Sequence, residues 1–156
     1  MQKLSSSQAY TLKLGKLISR YLKAGDIICL QGELGTGKTV LTKGIAEGLG
    51  VDKDKVTSSS FILIRQHLEG RVPLYHFDLY RLKPGQDIAS LGYEEYFYDQ
   101  GVSVIEWADR LKDLMPKEYL MVKLSYGSKE NRILKFSAVG LRYARLLKEI
   151  NEDIMH

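Results

Sequence analysis

The sequence has little or none of several things. It has one cysteine, Cys29, in 156 residues, so no internal disulfide can form, and a reducing cytoplasm is the natural setting. With three scattered histidines besides, a protein-built zinc site is excluded. The apolar run Ile27-Ile28-Cys29-Leu30 around the thiol marks it as an inert core group, not a nucleophile. No apolar run approaches the roughly 20 residues needed to cross a bilayer. Met1-Gln2-Lys3 leads into serines, not into the apolar core of a signal peptide. Internal repeats, low-complexity tracts and linkers are absent, so a single domain over residues 1–156 is expected. The guanine-reading pattern Asn-Lys-x-Asp is missing, which argues against a GTPase. Eight arginines are scattered along the chain, whereas a small-molecule kinase, the main alternative, usually carries an arginine-rich lid.

What is present is ordinary in bulk and specific in one place. A hydrophobic content of 44% and a charged content of 27% suit a soluble globular protein. The net charge of +4 permits an anionic partner, nucleotide or RNA, without requiring one. Lys112, Lys117, Lys123, Lys129, Arg132 and Lys135 make the later part basic, which a solvated face also explains. The specific place is Gly32-Glu33-Leu34-Gly35-Thr36-Gly37-Lys38-Thr39. Gly, four free positions, Gly, Lys and then Ser or Thr is the phosphate-loop pattern. Its context is also right, with the apolar strand Ile27–Leu30 before it and a helical run from Thr39 to Leu49 after it. Glycines let successive N–H groups turn inward around an anion, and the helix start adds unpaired donors and a positive dipole end. Lys38 can reach outer phosphates, and the Thr39 hydroxyl can sit on magnesium.

Phosphoryl chemistry in such proteins has a second acid at a strand end. Glu106 closes the apolar strand Val102-Ser103-Val104-Ile105. Asp78 sits in Leu74-Tyr75-His76-Phe77-Asp78-Leu79-Tyr80-Arg81, where the polar alternation also suits the wet face of a hairpin. One acid can hold magnesium while the other orients the attacking water, and the sequence leaves the division open. Arg65 and Arg81 are further charge-stabilising candidates, though solvation is the commoner fate of each.

Around these motifs the periodicity predicts an amphipathic helix over 5–23, capped by Ser5, Ser6 or Ser7. A hairpin is predicted over 61–67 and 72–80, short helices over 88–98, and a short helix over 107–115 closed by Pro116. A second hairpin over 119–126 and 132–137 precedes a terminal helix over 141–155. Buried strands, a phosphate loop, helices and two hairpins together predict an α/β fold with a mixed sheet.

In order and spacing, the phosphate loop, Val56-Thr57-Ser58-Ser59-Ser60-Phe61, Tyr75-His76-Phe77-Asp78-Leu79-Tyr80-Arg81, Gly92-Tyr93-Glu94-Glu95-Tyr96 and Val104-Ile105-Glu106-Trp107-Ala108 resemble the TsaE (YjeE) family. The resemblance covers nearly the whole chain. It implies a P-loop NTPase-like three-layer fold with a parallel centre and antiparallel flanking strands. It implies an ATPase of tRNA threonylcarbamoyladenosine synthesis that binds ATP, Mg²⁺ and the TsaB–TsaD pair. Hydrolysis would reset that complex between turnovers, and tRNA would be reached through it. On the same basis Glu33, Leu34, Gly35, Thr36, Gly37, Lys38 and Thr39 would hold the phosphates, and Thr39 and Glu106 the magnesium. Asp78 would act near the γ-phosphate or its water, making Asp78, Glu106 and Lys38 the catalytic set, with Trp107 on the same face. Thr11 would lie near the adenosine, and Asn131-Arg132 near the base. Val56 to Phe61 would be a nucleotide-sensing switch. Two departures stand out. Ser58-Ser59-Ser60 replaces the family's Ser-Pro-Thr, and Thr36 replaces an alanine. Neither removes a required chemical group.

Overall fold

The computed structural model describes residues 1–57, 63–82, 89 and 92–156. Seven strands form one sheet: β1 (Gln2–Ser5), β2 (Ile27–Gln31), β3 (Ile64–His67), β4 (Leu74–Asp78), β5 (Val102–Glu106), β6 (Tyr119–Tyr126) and β7 (Arg132–Val139). Their spatial order is β1-β7-β6-β2-β5-β4-β3. Strands β6, β2, β5 and β4 run parallel to one another. The outer pairs β1–β7, β6–β7 and β3–β4 are antiparallel. The mixed sheet with a parallel centre is therefore as expected. The near-continuous apolar residues of β2 and β5 suit central strands covered on both faces.

Alternation along β2 sorts the core into two layers. Ile28 and Leu30 pack with the helices α1 (Gln8–Ser19), α2 (Lys38–Gly48) and α4 (Leu141–Met155). Ile27 and Cys29 pack on the other face with α3 (Tyr93–Phe97) and the 3₁₀ segment Ala108–Leu114. Burial pushes the Cys29 thiol far up, as an inert core group requires. Helices α1 and α2 approach unusually closely. A Cβ at Gly15 would lie 2.5 Å from the Leu41 carbonyl oxygen, and one at Gly44 would lie 2.2 Å from that of Leu12. Only glycine fits at that crossing, and the crossing carries the N-terminal end of α1 up to the phosphate loop.

Several boundaries move. The first helix starts at Gln8, with Ser7 accepting from the Tyr10 N–H as its cap. Residues 2–5 form an edge strand paired with β7, so Ser5 belongs to the sheet and not to the helix. The segment after Trp107 is 3₁₀, broken by Lys112 at φ 48° and ψ −117°, not one α-helix. Strand β4 is an inner strand with Leu74 to Phe77 buried, so the wet-face reading of that stretch is wrong. The serine run 58–60 and the turn at Pro84-Gly85 lie outside the described residues, as does part of the 88–98 helical region.

Candidate functional site

Three parallel strands deliver the site's residues to one edge of the sheet. Leu30 pairs with Glu106, and Glu106 with Asp78, in adjacent parallel register. Residues in register on neighbouring strands point to the same face, so the two carboxylates stand side by side. The chain leaving β2 turns through the phosphate loop into α2, whose first residues are Lys38 and Thr39. Gly37, at φ 105°, makes the left-handed turn that starts this helix, a conformation glycine adopts without steric penalty.

These pieces surround a cavity of about 830 Å³. Leu34, Gly35, Thr36 and Gly37 line it from the loop, and Lys38 and Thr39 from the helix start. Asp78, Glu106 and Trp107 form another wall, with Thr11 and Arg132 at the side towards α1 and β7. Glu33 faces a smaller cavity behind the loop, and its carbonyl oxygen accepts from the Thr36 hydroxyl at 2.8 Å. Arg81 lines the large cavity. Asn131 and Arg65 do not, and the Nε of Arg65 is buried with no partner among the described residues.

The electrostatics are uneven. Lys38 is buried, and its Nζ donates to the carbonyl oxygens of Gly32 at 2.5 Å and Glu33 at 2.8 Å. The ammonium also lies over the Trp107 ring, 4.2 Å from its centroid, a cation–π contact. Burial lowers its pKa, and the nearby Glu106 charge works against that shift. Trp107 takes a left-handed backbone (φ 57°, ψ 43°), which turns its ring back over the lysine and against Tyr80 at 5.1 Å.

Glu106, also buried, is held at both oxygens. Thr39 Oγ1 donates to Oε1 at 2.7 Å, and His76 Nε2 donates to Oε2. Among the described residues no lysine or arginine is ion-paired with it. Asp78 is half-buried and, among the described residues, accepts from the Tyr80 N–H at 3.2 Å. Burial raises the Asp78 pKa, with the Glu106 charge adding to the effect. At the wall towards α1, Thr11 is buried and hydrogen-bonded to the Ser5 hydroxyl at 2.7 Å.

His76 is the residue that sequence reasoning did not single out. Its signal was available: a period of two places it on the same face as Asp78, beside Val104 and one step from Glu106. Chemically, the site offers one ammonium beside a glycine-rich loop at a helix start. It also offers a hydroxyl and a carboxylate 2.7 Å apart, both hard oxygen donors of the kind magnesium prefers.

Fold and loop together define the class, a P-loop α/β protein with two carboxylates at adjacent strand ends. A family model described as "Threonylcarbamoyl adenosine biosynthesis protein TsaE" matches residues 5–134, and the chain belongs to the TsaE family. A relative from Bacillus subtilis (strain 168), named tRNA threonylcarbamoyladenosine biosynthesis protein TsaE, is 40% identical over 141 residues, covering 90% of this chain and 87% of that one. A protein of the same name from Nostoc sp. is 43% identical, covering 78% of this chain and 76% of that one. The crystal structure of Bacillus subtilus YdiB superposes with a TM-score of 0.84 at 35% identity, covering 98% of this chain and 95% of the other. No helix among the described residues is long and apolar enough to cross a membrane.

Proposed function

We propose that this chain is a magnesium-dependent ATPase that serves tRNA threonylcarbamoyladenosine synthesis in the cytoplasm. It acts with the TsaB–TsaD pair and resets that complex by hydrolysing ATP to ADP and phosphate. The observation that carries the proposal is the convergence of Lys38, Thr39, Asp78 and Glu106 on one cavity. An ammonium, a hydroxyl and two carboxylates at a phosphate loop are what phosphoryl transfer to water needs.

Each residue then has a chemical task. Lys38 exchanges its carbonyl partners for phosphate oxygens, a charge-assisted contact worth more than the neutral ones it leaves. The backbone N–H groups of Leu34 to Thr39 cradle the same anion. Thr39 and Glu106 are the pair that would hold magnesium, and their oxygens already face one another. When bound there, the ion neutralises charge developing on the phosphoryl oxygens. Asp78 has one oxygen without a described partner and a raised pKa. Both features suit a carboxylate that accepts a hydrogen bond from the attacking water. Glu106, saturated by Thr39 and His76, suits ligation better than water activation. Thr11 and Arg132 border the end of the cavity where the nucleoside belongs.

Phosphate release from MgATP, measured with and without the TsaB–TsaD pair, tests the reading. Stimulation by the partners, lost in Lys38→Ala and Glu106→Ala, is expected. Absence of partner binding and of stimulation contradicts it, and transfer of the phosphate to a metabolite instead of water would favour a kinase.

A further inference from the structure

We infer that Tyr126 is a positioning residue, setting the phosphate loop for anion binding and tying it to the hairpin that carries Arg132. The inference rests on the proposed nucleotide site. A loop that turns its N–H groups inward pushes carbonyl groups outward, and each of these needs a donor. The loop supplies some of them itself. Lys38 serves the Gly32 and Glu33 carbonyls, and the Thr36 hydroxyl also serves Glu33. The Leu34 carbonyl is served from outside, by the Tyr126 hydroxyl at 2.5 Å.

The phenol is itself fixed. Tyr126 and Arg132 are cross-strand partners on the last rung of β6–β7. The Arg132 guanidinium lies over the Tyr126 ring at 4.6 Å, and its Nη2 reaches towards the Gly35 carbonyl at 3.5 Å. A Cβ at Gly35 would lie 2.7 Å from the phenol oxygen, with the next Tyr126 atom at 3.9 Å. The hydroxyl therefore fills room that only glycine leaves. Arg132 lines the large cavity while Tyr126 lines the smaller one, of about 520 Å³, behind the loop. One rung thus contacts the nucleoside side with one residue and braces the phosphate loop with the other.

Tyr126→Phe keeps the ring and its stacking and removes only the donor. The Kd for MgADP, by calorimetric titration, is expected to rise about fivefold, the scale of one neutral hydrogen bond. The KM for MgATP rises by a similar factor, with kcat at saturation unchanged and the melting temperature of the free protein within about 3 °C of the wild type. Gly35→Ala weakens binding less in the Tyr126→Phe background than in the wild type, because the added Cβ takes the room of the lost oxygen. Equal MgADP affinity in wild type and Tyr126→Phe overturns the inference. So does a lower melting temperature and kcat with unchanged KM, which marks a merely structural tyrosine. A wild type that binds no nucleotide overturns the proposed function itself, so the two failures are distinguishable.

Discussion

Two buried carboxylates, Asp26 and Glu106, lie at opposite ends of the parallel strands and are held in opposite ways. Asp26, just ahead of β2, is 3% exposed and takes two bonds from Arg142, at 3.0 Å from Nε and 2.6 Å from Nη2. The Lys23 N–H adds a third at 2.8 Å. Arg142 also donates to the Tyr21 carbonyl, and the neighbouring Tyr143 hydroxyl accepts from the Ile27 N–H. That end is a closed joint between α1, β2 and α4, with the carboxylate charge matched by a guanidinium. Glu106, 2% exposed, is bonded among the described residues to a hydroxyl and an imidazole. Desolvating a charge is costly unless it is compensated; at one end of the sheet an arginine compensates it for the fold, and at the other, on the proposed function, a bound ligand does.

Substitutions at the poised end test that division most severely. Glu106→Gln keeps the shape and hydrogen-bonding capacity of the carboxylate but removes its charge, and turnover is expected to fall about 10²- to 10³-fold, the scale of losing one preorganised stabilising group. Lys38→Ala falls at least as far and also loses nucleotide affinity, as equilibrium binding of MgADP will report. At the closed end the sign of the experiment reverses. Asp26→Ala strands Arg142 and is expected to lower unfolding stability by about 3 kcal/mol, at the low end for a broken buried pair because the guanidinium is partly exposed. Turnover per folded molecule stays unchanged, which urea unfolding combined with an activity assay will separate.

A smaller effect lies in alkali. Burial pushes the Tyr143 phenol up to about 12. A folded pKa above the unfolded one makes this contribution complete below about pH 10 and lost as pH rises towards 12. Tyr143→Phe flattens that part of the stability profile. The smallest effect is the control: Lys148→Ala removes an exposed i,i+4 contact to Glu152 on α4 and is expected to change stability by less than about 0.5 kcal/mol.

The poised end was far more legible in the sequence than the closed one. The phosphate loop announces itself because its glycines, lysine and threonine are fixed in spacing by the anion. Glu106 could be named because an apolar strand ending in an acid needs no tertiary information. Asp26 and Arg142 are 116 residues apart, and nothing local marks them as partners. The edge strand β1 was hidden for the same reason, since its pairing with β7 is a long-range event. His76 was within reach of period-two reasoning once β4 is taken as an inner strand instead of a wet hairpin arm. Tyr126 needed the β6–β7 register and the path of the loop together.

The central claim is that Glu106 is kept for a metal-bound ligand and not for the fold. Thermal melting of wild type and Glu106→Gln, each with and without MgADP, tests it directly. The expected result is free-protein melting temperatures within about 3 °C of each other, a difference of under roughly 1 kcal/mol for a domain of this size, with the upward shift from MgADP largely lost in the variant. A variant that melts well below the wild type yet keeps its full MgADP shift would contradict the claim.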